Sequence, residues 1–303
     1  MTSISIIQVC RDKNKIAQSN LEELSGVEQV IVTETLSPSS ARNKAILKVQ
    51  HPVILFLDDD CIIDQKTIDL YLKHFSNESL DVIGGPALIR TSKNKTKLHA
   101  LLCSSFFLFG PSYSRYHPKG VMRETSEKEL ILCNLAFRTT LFDKYAPFQE
   151  GLYPGEENEI LRRLSKNAVK LYYDPRLLVT RTMTASSQLL IVKIFRYAYH
   201  RACFGKLSDF YYYIPIIFVA VALTAPFIKL CSALMMIYGV AVITESLRLI
   251  VKHQQIQLLL LSVVLIPMLH LAYGFGLILG LLLFCAHSFS HFLNTRHRVD
   301  VFK

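Results

Sequence analysis

Three consecutive aspartates, Asp58, Asp59 and Asp60, stand at the end of the apolar run VILFL (53–57), and the chain turns apolar again directly after them. Clustered carboxylates repel one another, and a divalent cation relieves that repulsion. Mg²⁺ or Mn²⁺ is typically held by one or two carboxylates together with substrate phosphates, so the triplet points to a metal-bound diphosphate. A solvated turn is the plain alternative. Arg42, within SPSSARNKAI (37–46), begins a helical pattern shortly before that strand, where a guanidinium can meet phosphate or nucleotide. A second acidic pair, Glu156 and Glu157, follows Gly155 and opens another helical pattern. At helical spacing Glu157 shares a face with Leu161 and Leu164 and turns toward the protein body, which makes it a candidate general base. The competing reading is that both acids merely favour a helix N-terminus through its dipole.

The elements around these residues alternate between two periods. Short apolar stretches rich in β-branched residues at 4–9, 27–32, 53–57 and 82–89 predict strands. Helical patterns at about 14–24, 39–49 and 65–76 lie between them. Strands alternating with helices imply βαβ units, a largely parallel Rossmann-like sheet covered on both faces, and a ligand crevice beyond the carboxyl ends of the strands. Asp58 to Asp60 occupy that position.

The 303-residue chain changes character near residue 207. Residues 1–206 carry 28 Lys/Arg and 21 Asp/Glu, whereas 207–287 carry only Asp209, Lys229, Glu245, Arg248 and Lys252. The stretches 210–227, 230–251 and 256–287 each approach or exceed the roughly 20 apolar residues a helix needs to cross a bilayer. The last carries Pro267, His270, Gly274 and Gly276 near its middle, so it is one long tilted span or a broken pair. The sequence therefore predicts a water-soluble α/β domain over 1–206, with a juxtamembrane helix at 187–206. A transmembrane region over 207–290 and a basic tail over 291–303 follow.

Between Arg162 and Lys206 ten Lys/Arg face one acid, Asp174. Positive charge beside a membrane helix predicts the cytoplasmic face and contact with anionic lipid. No nucleic-acid motif accompanies it, and nucleic acid is not expected as a partner. The seven cysteines are scattered and never spaced C-x-x-C, which indicates neither a disulfide framework nor a zinc site.

Taken in order, ARN, LFLDDDC, CNLAFR, GEENEILRRL and LYYDPRLLVTRT resemble the inverting family 2 glycosyltransferases of the GT-A fold over about residues 3–206. The apolar tail resembles membrane-bound members that build exopolysaccharide of the succinoglycan type. The resemblance implies a nucleotide-diphospho-sugar donor, a lipid-linked or polysaccharide acceptor, and Mg²⁺ or Mn²⁺ at Asp58 and Asp60. It implies further donor contacts from Arg42, Asp59, Arg163, Arg196 and Arg201, with Asn134 and Arg138 in the donor–acceptor region. The base is Glu157, or Glu156 in its place, since most members have Asp where Glu157 stands. The chain lacks tryptophan and hence the Gln-x-x-Arg-Trp element of processive synthases, which implies one sugar per encounter. A polyprenyl-phosphate sugar transferase, a nucleotidyltransferase and a non-catalytic membrane scaffold are the other readings.

Overall fold

The computed structural model describes residues 3–10, 21–34, 37–90, 94–152, 154–182, 187–203 and 210–300. They form two compact units, Met1–Thr184 and Ala185–Lys303. In the first, the elements are β1 (Ile4–Cys10), β2 (Val27–Glu34), α1 (Pro38–Ile46), β3 (Val53–Asp58), β4 (Cys61–Ile63), α2 (Gln65–Phe75), β5 (Val82–Gly84) and β6 (Ala87–Ile89). There follow α3 (Asn94–Cys103), α4 (Phe106–Phe109), β7 (Arg123–Thr125), β8 (Leu135–Arg138), α5 (Thr140–Lys144), α6 (Glu156–Lys166), β9 (Leu171–Tyr173) and β10 (Val179–Arg181).

Seven strands form the main sheet in the order β2-β1-β3-β8-β5-β9-β7. The pairs β1–β2, β1–β3 and β5–β9 are parallel, while β8 and β7 run against their neighbours. Central strands buried on both faces explain the unbroken apolar runs: Ile4, Ile6, Val53, Leu55 and Leu57 go to one face and Ile7, Ile54 and Phe56 to the other. Ile68, Tyr71 and Phe75 of α2 cover the first face. Ala45 and Ile46 of α1, with Ile160, Leu161 and Leu164 of α6, cover the second. The result is an α/β domain with a mostly parallel sheet.

The run at 82–89 does not make one strand. It divides into β5 in the main sheet and β6 in a second sheet of order β4-β10-β6. Gly84-Gly85-Pro86 makes the break: a Cβ on Gly85 would meet the Leu177 carbonyl oxygen at 2.1 Å, so only glycine lets the two backbones approach. Of the helix expected over 14–24, residues 11–20 lie outside the described residues, and Leu21–Glu23 forms a single 3₁₀ turn.

The second unit contains α7 (Ser187–Cys203), α8 (Ile214–Thr224), α9 (Lys229–His253) and α10 (Leu259–Asp300). The third apolar stretch is not broken: α10 runs continuously through Pro267. Conversely, α8 has only 11 residues, a length of about 16 Å. A 3₁₀ turn at Phe210–Tyr213 precedes it, and it ends just before Pro226, which cannot continue a helix. Among the described residues, two helical segments, Lys229–His253 and Ile256–Ala286, are long and apolar enough to cross a membrane. Small residues let α10 approach α7 closely. A Cβ on Gly276 would stand 2.5 Å from the Phe195 carbonyl oxygen and one on Gly280 2.4 Å from that of Tyr199, with Ala198 and Ala202 filling the seam. This small-x-x-x-small pattern is a packing signature of helices in lipid.

Candidate active site

The parallel sheet carries β3 to its carboxyl end with Val53 to Leu57 fully enclosed, and Asp58 is the first side chain to emerge. Gln8 of the neighbouring β1 donates from Nε2 to the Asp58 carbonyl oxygen at 3.2 Å and fixes the backbone there. Antiparallel pairing of β10 with β4 places Arg181 opposite Cys61, and the Thr182 N–H donates to the Asp60 carbonyl oxygen at 2.8 Å. The Arg181 guanidinium consequently spans two aspartates. Nη2 donates to Oδ2 of Asp58 and Oδ2 of Asp60, each at 3.1 Å, and Nε donates to Oδ1 of Asp60 at 3.1 Å.

Arg42 approaches Asp58 from the other side. Its Nη2 donates to Asp58 Oδ1 at 3.3 Å and its Nη1 to Glu156 Oε1 at 2.9 Å. Two contacts hold α1 against the segment before α6: Ser39 donates to the Leu152 carbonyl oxygen at 3.0 Å and Asn43 to that of Phe148 at 2.8 Å. Glu156, Arg42, Asp58, Arg181 and Asp60 thus form a continuous line of alternating charge drawn from four parts of the chain.

Gly155 enters α6 with φ +107°, a left-handed conformation suited to glycine, and its N–H donates to Glu156 Oε2 at 3.0 Å. Successive helical residues point about 100° apart. Glu156 therefore faces Arg42 while Glu157 faces Arg115, whose Nη1 donates to Glu157 Oε1 at 3.4 Å. Arg115 is itself fixed: Nε donates to the Lys128 carbonyl oxygen at 2.9 Å, and Nη2 donates to that of Glu127 at 2.6 Å and to Asn158 Oδ1 at 2.5 Å. Both glutamates are buried, as the shared face with Leu161 and Leu164 predicts for Glu157. Burial, and then the Glu157 charge beside it, push the Glu156 carboxyl up to about 7 against the opposing pull of Arg42.

Asp59 sits half-buried in the turn after β3. Asn134, Arg138 and Arg163 have other partners within the first unit. Asn134 is fully enclosed; its Oδ1 accepts from the Tyr71 hydroxyl at 2.7 Å and its Nδ2 donates to the carbonyl oxygens of Pro86 and Leu177. It braces the double-glycine crossing rather than presenting a polar group to a ligand. Arg138 pairs with Val53 at the amino end of β3, the far end from Asp58, and its guanidinium donates to the carbonyl oxygens of Leu80, Phe75 and Asn77. The antiparallel direction of β8 accounts for that displacement. Arg163 binds Glu159 and the carbonyl oxygens of Ala146 and Pro147, tying the preceding loop to α6. Arg196 and Arg201 belong to α7 in the second unit. Arg196 is exposed there, and Arg201 donates to the Tyr273 hydroxyl at 2.9 Å with its guanidinium 4.7 Å from the Tyr212 ring.

Arg181 and Arg115 are the site residues that the sequence does not single out. Arg181 lies within the quoted LYYDPRLLVTRT, but its opposition to Asp60 depends on a strand pairing more than a hundred residues away in sequence.

Asp58 and Asp60 suit a hard divalent cation. Their side chains converge on one guanidinium nitrogen and remain 28% and 26% exposed, open to an incoming ligand. Among the described residues no group of three or more His, Cys, Asp or Glu forms a protein-only metal cage. A two-carboxylate site completed by substrate phosphate and water matches that donor set.

Residues 4–200 match the family described as "Glycosyltransferase like family 2". Among solved structures, the chain is similar to the mannosyltransferase PcManGT from Pyrobaculum calidifontis, described in complex with GDP-Man and Mn²⁺. The TM-score is 0.52 at 11% identity, over 88% of this chain and 86% of that one. It is also similar to TarS from S. aureus, with a TM-score of 0.43 at 15% identity over 64% of this chain; the match spans 40% of the TarS chain. No curated protein sequence matches the chain.

Proposed function

We propose that this chain, which belongs to the glycosyltransferase-like family 2 and is a glycosyltransferase, moves one sugar from a nucleoside-diphosphate donor to an acceptor hydroxyl with inversion at the anomeric carbon. The observation that carries this reading is the junction of Glu156, Arg42, Asp58, Arg181 and Asp60 beside Glu157 at the carboxyl end of β3. It joins a place for a charged diphosphate to a carboxylate suited to deprotonating an acceptor. The GDP-Man and Mn²⁺ of the Pyrobaculum mannosyltransferase support a donor and cation of this class.

Asp58 and Asp60 would hold Mg²⁺ or Mn²⁺, with Asp59 beside them in the same turn. When bound, the cation neutralises the diphosphate and makes it a better leaving group. Arg42 and Arg181 bind diphosphate oxygens, for which a planar guanidinium fork is well matched. Glu157 accepts the acceptor's proton as the new oxygen–carbon bond forms, while the electron pair of the sugar–oxygen bond leaves with the diphosphate. Arg115 and Asn158 orient Glu157, and Glu156 holds Arg42.

The acceptor is a lipid-linked glycan at the cytoplasmic membrane face, in line with the exopolysaccharide enzymes that the sequence resembles. Support comes from uncovered apolar side chains on α9 and α10: Leu260 is 82%, Val251 77% and Met236 68% exposed. The surplus of Lys/Arg over 162–206 supports the orientation.

The test is product identification. Full-length protein in membranes is supplied with UDP- and GDP-sugars, Mn²⁺ and a polyprenyl-linked acceptor. Release of a nucleoside diphosphate together with a glycosylated lipid of inverted configuration is expected. Inorganic pyrophosphate as product rejects sugar transfer, and a retained configuration rejects single displacement.

A further inference from the structure

We infer that Arg181 is a built-in countercation for Asp58 and Asp60 that must be displaced by the divalent cation, so that cation and nucleoside diphosphate enter as one unit. This rests on the reading of the two aspartates as cation ligands.

The guanidinium takes the position between the carboxylates. Its Nη2 is shared equally between Asp58 and Asp60 at 3.1 Å, and its Nε adds a second bond to Asp60. Arg42 neutralises the remaining Asp58 oxygen from the opposite side. Two aspartates therefore face two arginines, and Glu156 is the further acid in the line. The mutual repulsion that makes an acidic cluster attract a bare metal ion is largely spent here.

A divalent ion entering alone would sit within a few ångströms of a guanidinium whose charge is poorly screened. Arg181 is only 13% exposed at its side chain, so that repulsion is substantial. A nucleoside diphosphate changes the balance. It brings its own negative charge and offers phosphate oxygens to which Arg181 can donate the fork it withdraws from Asp58 and Asp60. One guanidinium thus clasps the two aspartates and, once donor is bound, serves as a diphosphate ligand. The aspartates are discouraged from collecting metal without donor. No covalent change is involved, only an exchange of hydrogen-bond partners.

The test measures Mn²⁺ binding by the loss of the free-ion electron paramagnetic resonance signal, on full-length protein in detergent, with no nucleotide and then with GDP or UDP. In the absence of nucleotide, Arg181→Gln is expected to bind Mn²⁺ at least about tenfold more tightly than the unaltered protein, the scale for removing one nearby like charge. Added nucleotide is expected to raise affinity strongly in the unaltered protein and much less in the variant. Arg181→Lys keeps a charge but cannot bridge both carboxylates with a planar fork, so it should fall between the two. It decides the matter by itself if the glutamine variant does not fold.

Equal or weaker Mn²⁺ affinity in the variants, with reduced thermal stability, makes Arg181 a structural clip between β10 and β4 and overturns the exchange alone. Asp60→Asn in the Arg181→Gln background should abolish the gained binding; persistence of that gain places the ion elsewhere and also overturns it. No Mn²⁺ binding by any of these proteins, with or without nucleotide, overturns the cation reading itself and the exchange with it.

Discussion

Arg42 and Glu156, 114 residues apart in sequence, form a buried ion pair of 2.9 Å that joins α1 to α6, the helix carrying the candidate base. Without Arg42, burial pushes the Glu156 carboxyl up further, so folding at neutral pH must be accompanied by uptake of a proton. Arg42→Gln should accordingly lower the unfolding temperature of the detergent-solubilised protein at pH 7.5. The loss should shrink at pH 5.5, where Glu156 takes up a proton and no longer needs a partner. The same size of loss at both pH values would falsify the pairing.

The raised Glu156 carboxyl also makes a signed prediction for the unaltered apo-protein. Its folded value, about 7, lies above the ordinary glutamate value of the unfolded chain. Between the two, the folded state binds more protons, so this group's contribution to stability falls as pH rises across the window and levels off above about 7. Glu156→Gln should flatten that part of the stability–pH curve. A curve whose slope there is unchanged by the substitution places the titration on another group.

Much of this organisation is legible in the sequence because it is local or periodic. The buried strand ending in Asp58 and the amphipathic turn placing Glu157 beside Leu161 and Leu164 follow from residue order alone. The pairing partners do not. The CNLAFR motif, through the resemblance, implies Arg138 in the donor–acceptor region, yet β8 runs antiparallel to β3 and carries it to the opposite end of the sheet. Asn134 reads as a polar site residue, but only the crossing of Gly85 with Leu177 reveals why a buried amide is needed there. Arg181 and Arg115 act on residues more than forty positions away and have no local signature.

In the second unit, the close approach of α10 to α7 leaves no room for a side chain at Gly276 or Gly280. Gly276→Val and Gly280→Val should each separate the helices, since the nearest atom is backbone and cannot turn aside. Destabilisation on the overpacking scale of about 1–3 kcal/mol or more is expected. It would be read as reduced folded yield and earlier thermal aggregation. Gly239→Val, where nothing lies within 4 Å, serves as the control and should be well tolerated.

With α8 only 11 residues long, α9 and α10 are, among the described residues, the helices able to cross a bilayer by length. A pair of crossings returns the basic tail, with Arg296, Arg298 and Lys303, to the side of the catalytic domain. Arg298→Cys in intact cells should resist a membrane-impermeant thiol reagent and react after permeabilisation. Labelling without permeabilisation would require α8 to cross as well.

Glu157 and Glu156 are separated by their partners, and so by their expected defects. Glu157→Gln keeps shape and hydrogen bonding to Arg115 but cannot accept a proton. Donor binding should survive while transfer falls by about 10²-fold or more, the scale for losing a positioned base. Glu157→Asp should keep part of the activity, because the carboxylate remains but withdraws by one methylene from Arg115. Glu156→Gln loosens Arg42, so its defect should lie in donor affinity, with a smaller effect on turnover at saturation. Arg115→Lys tests the orientation itself: a single ammonium cannot reach Glu157, Asn158 and the carbonyls of Glu127 and Lys128 together. It should lower turnover and move the pH–rate profile while leaving the KM for donor nearly unchanged. If instead Glu156→Gln abolishes transfer and Glu157→Gln does not, the base is Glu156, and Arg42 is the residue that orients it.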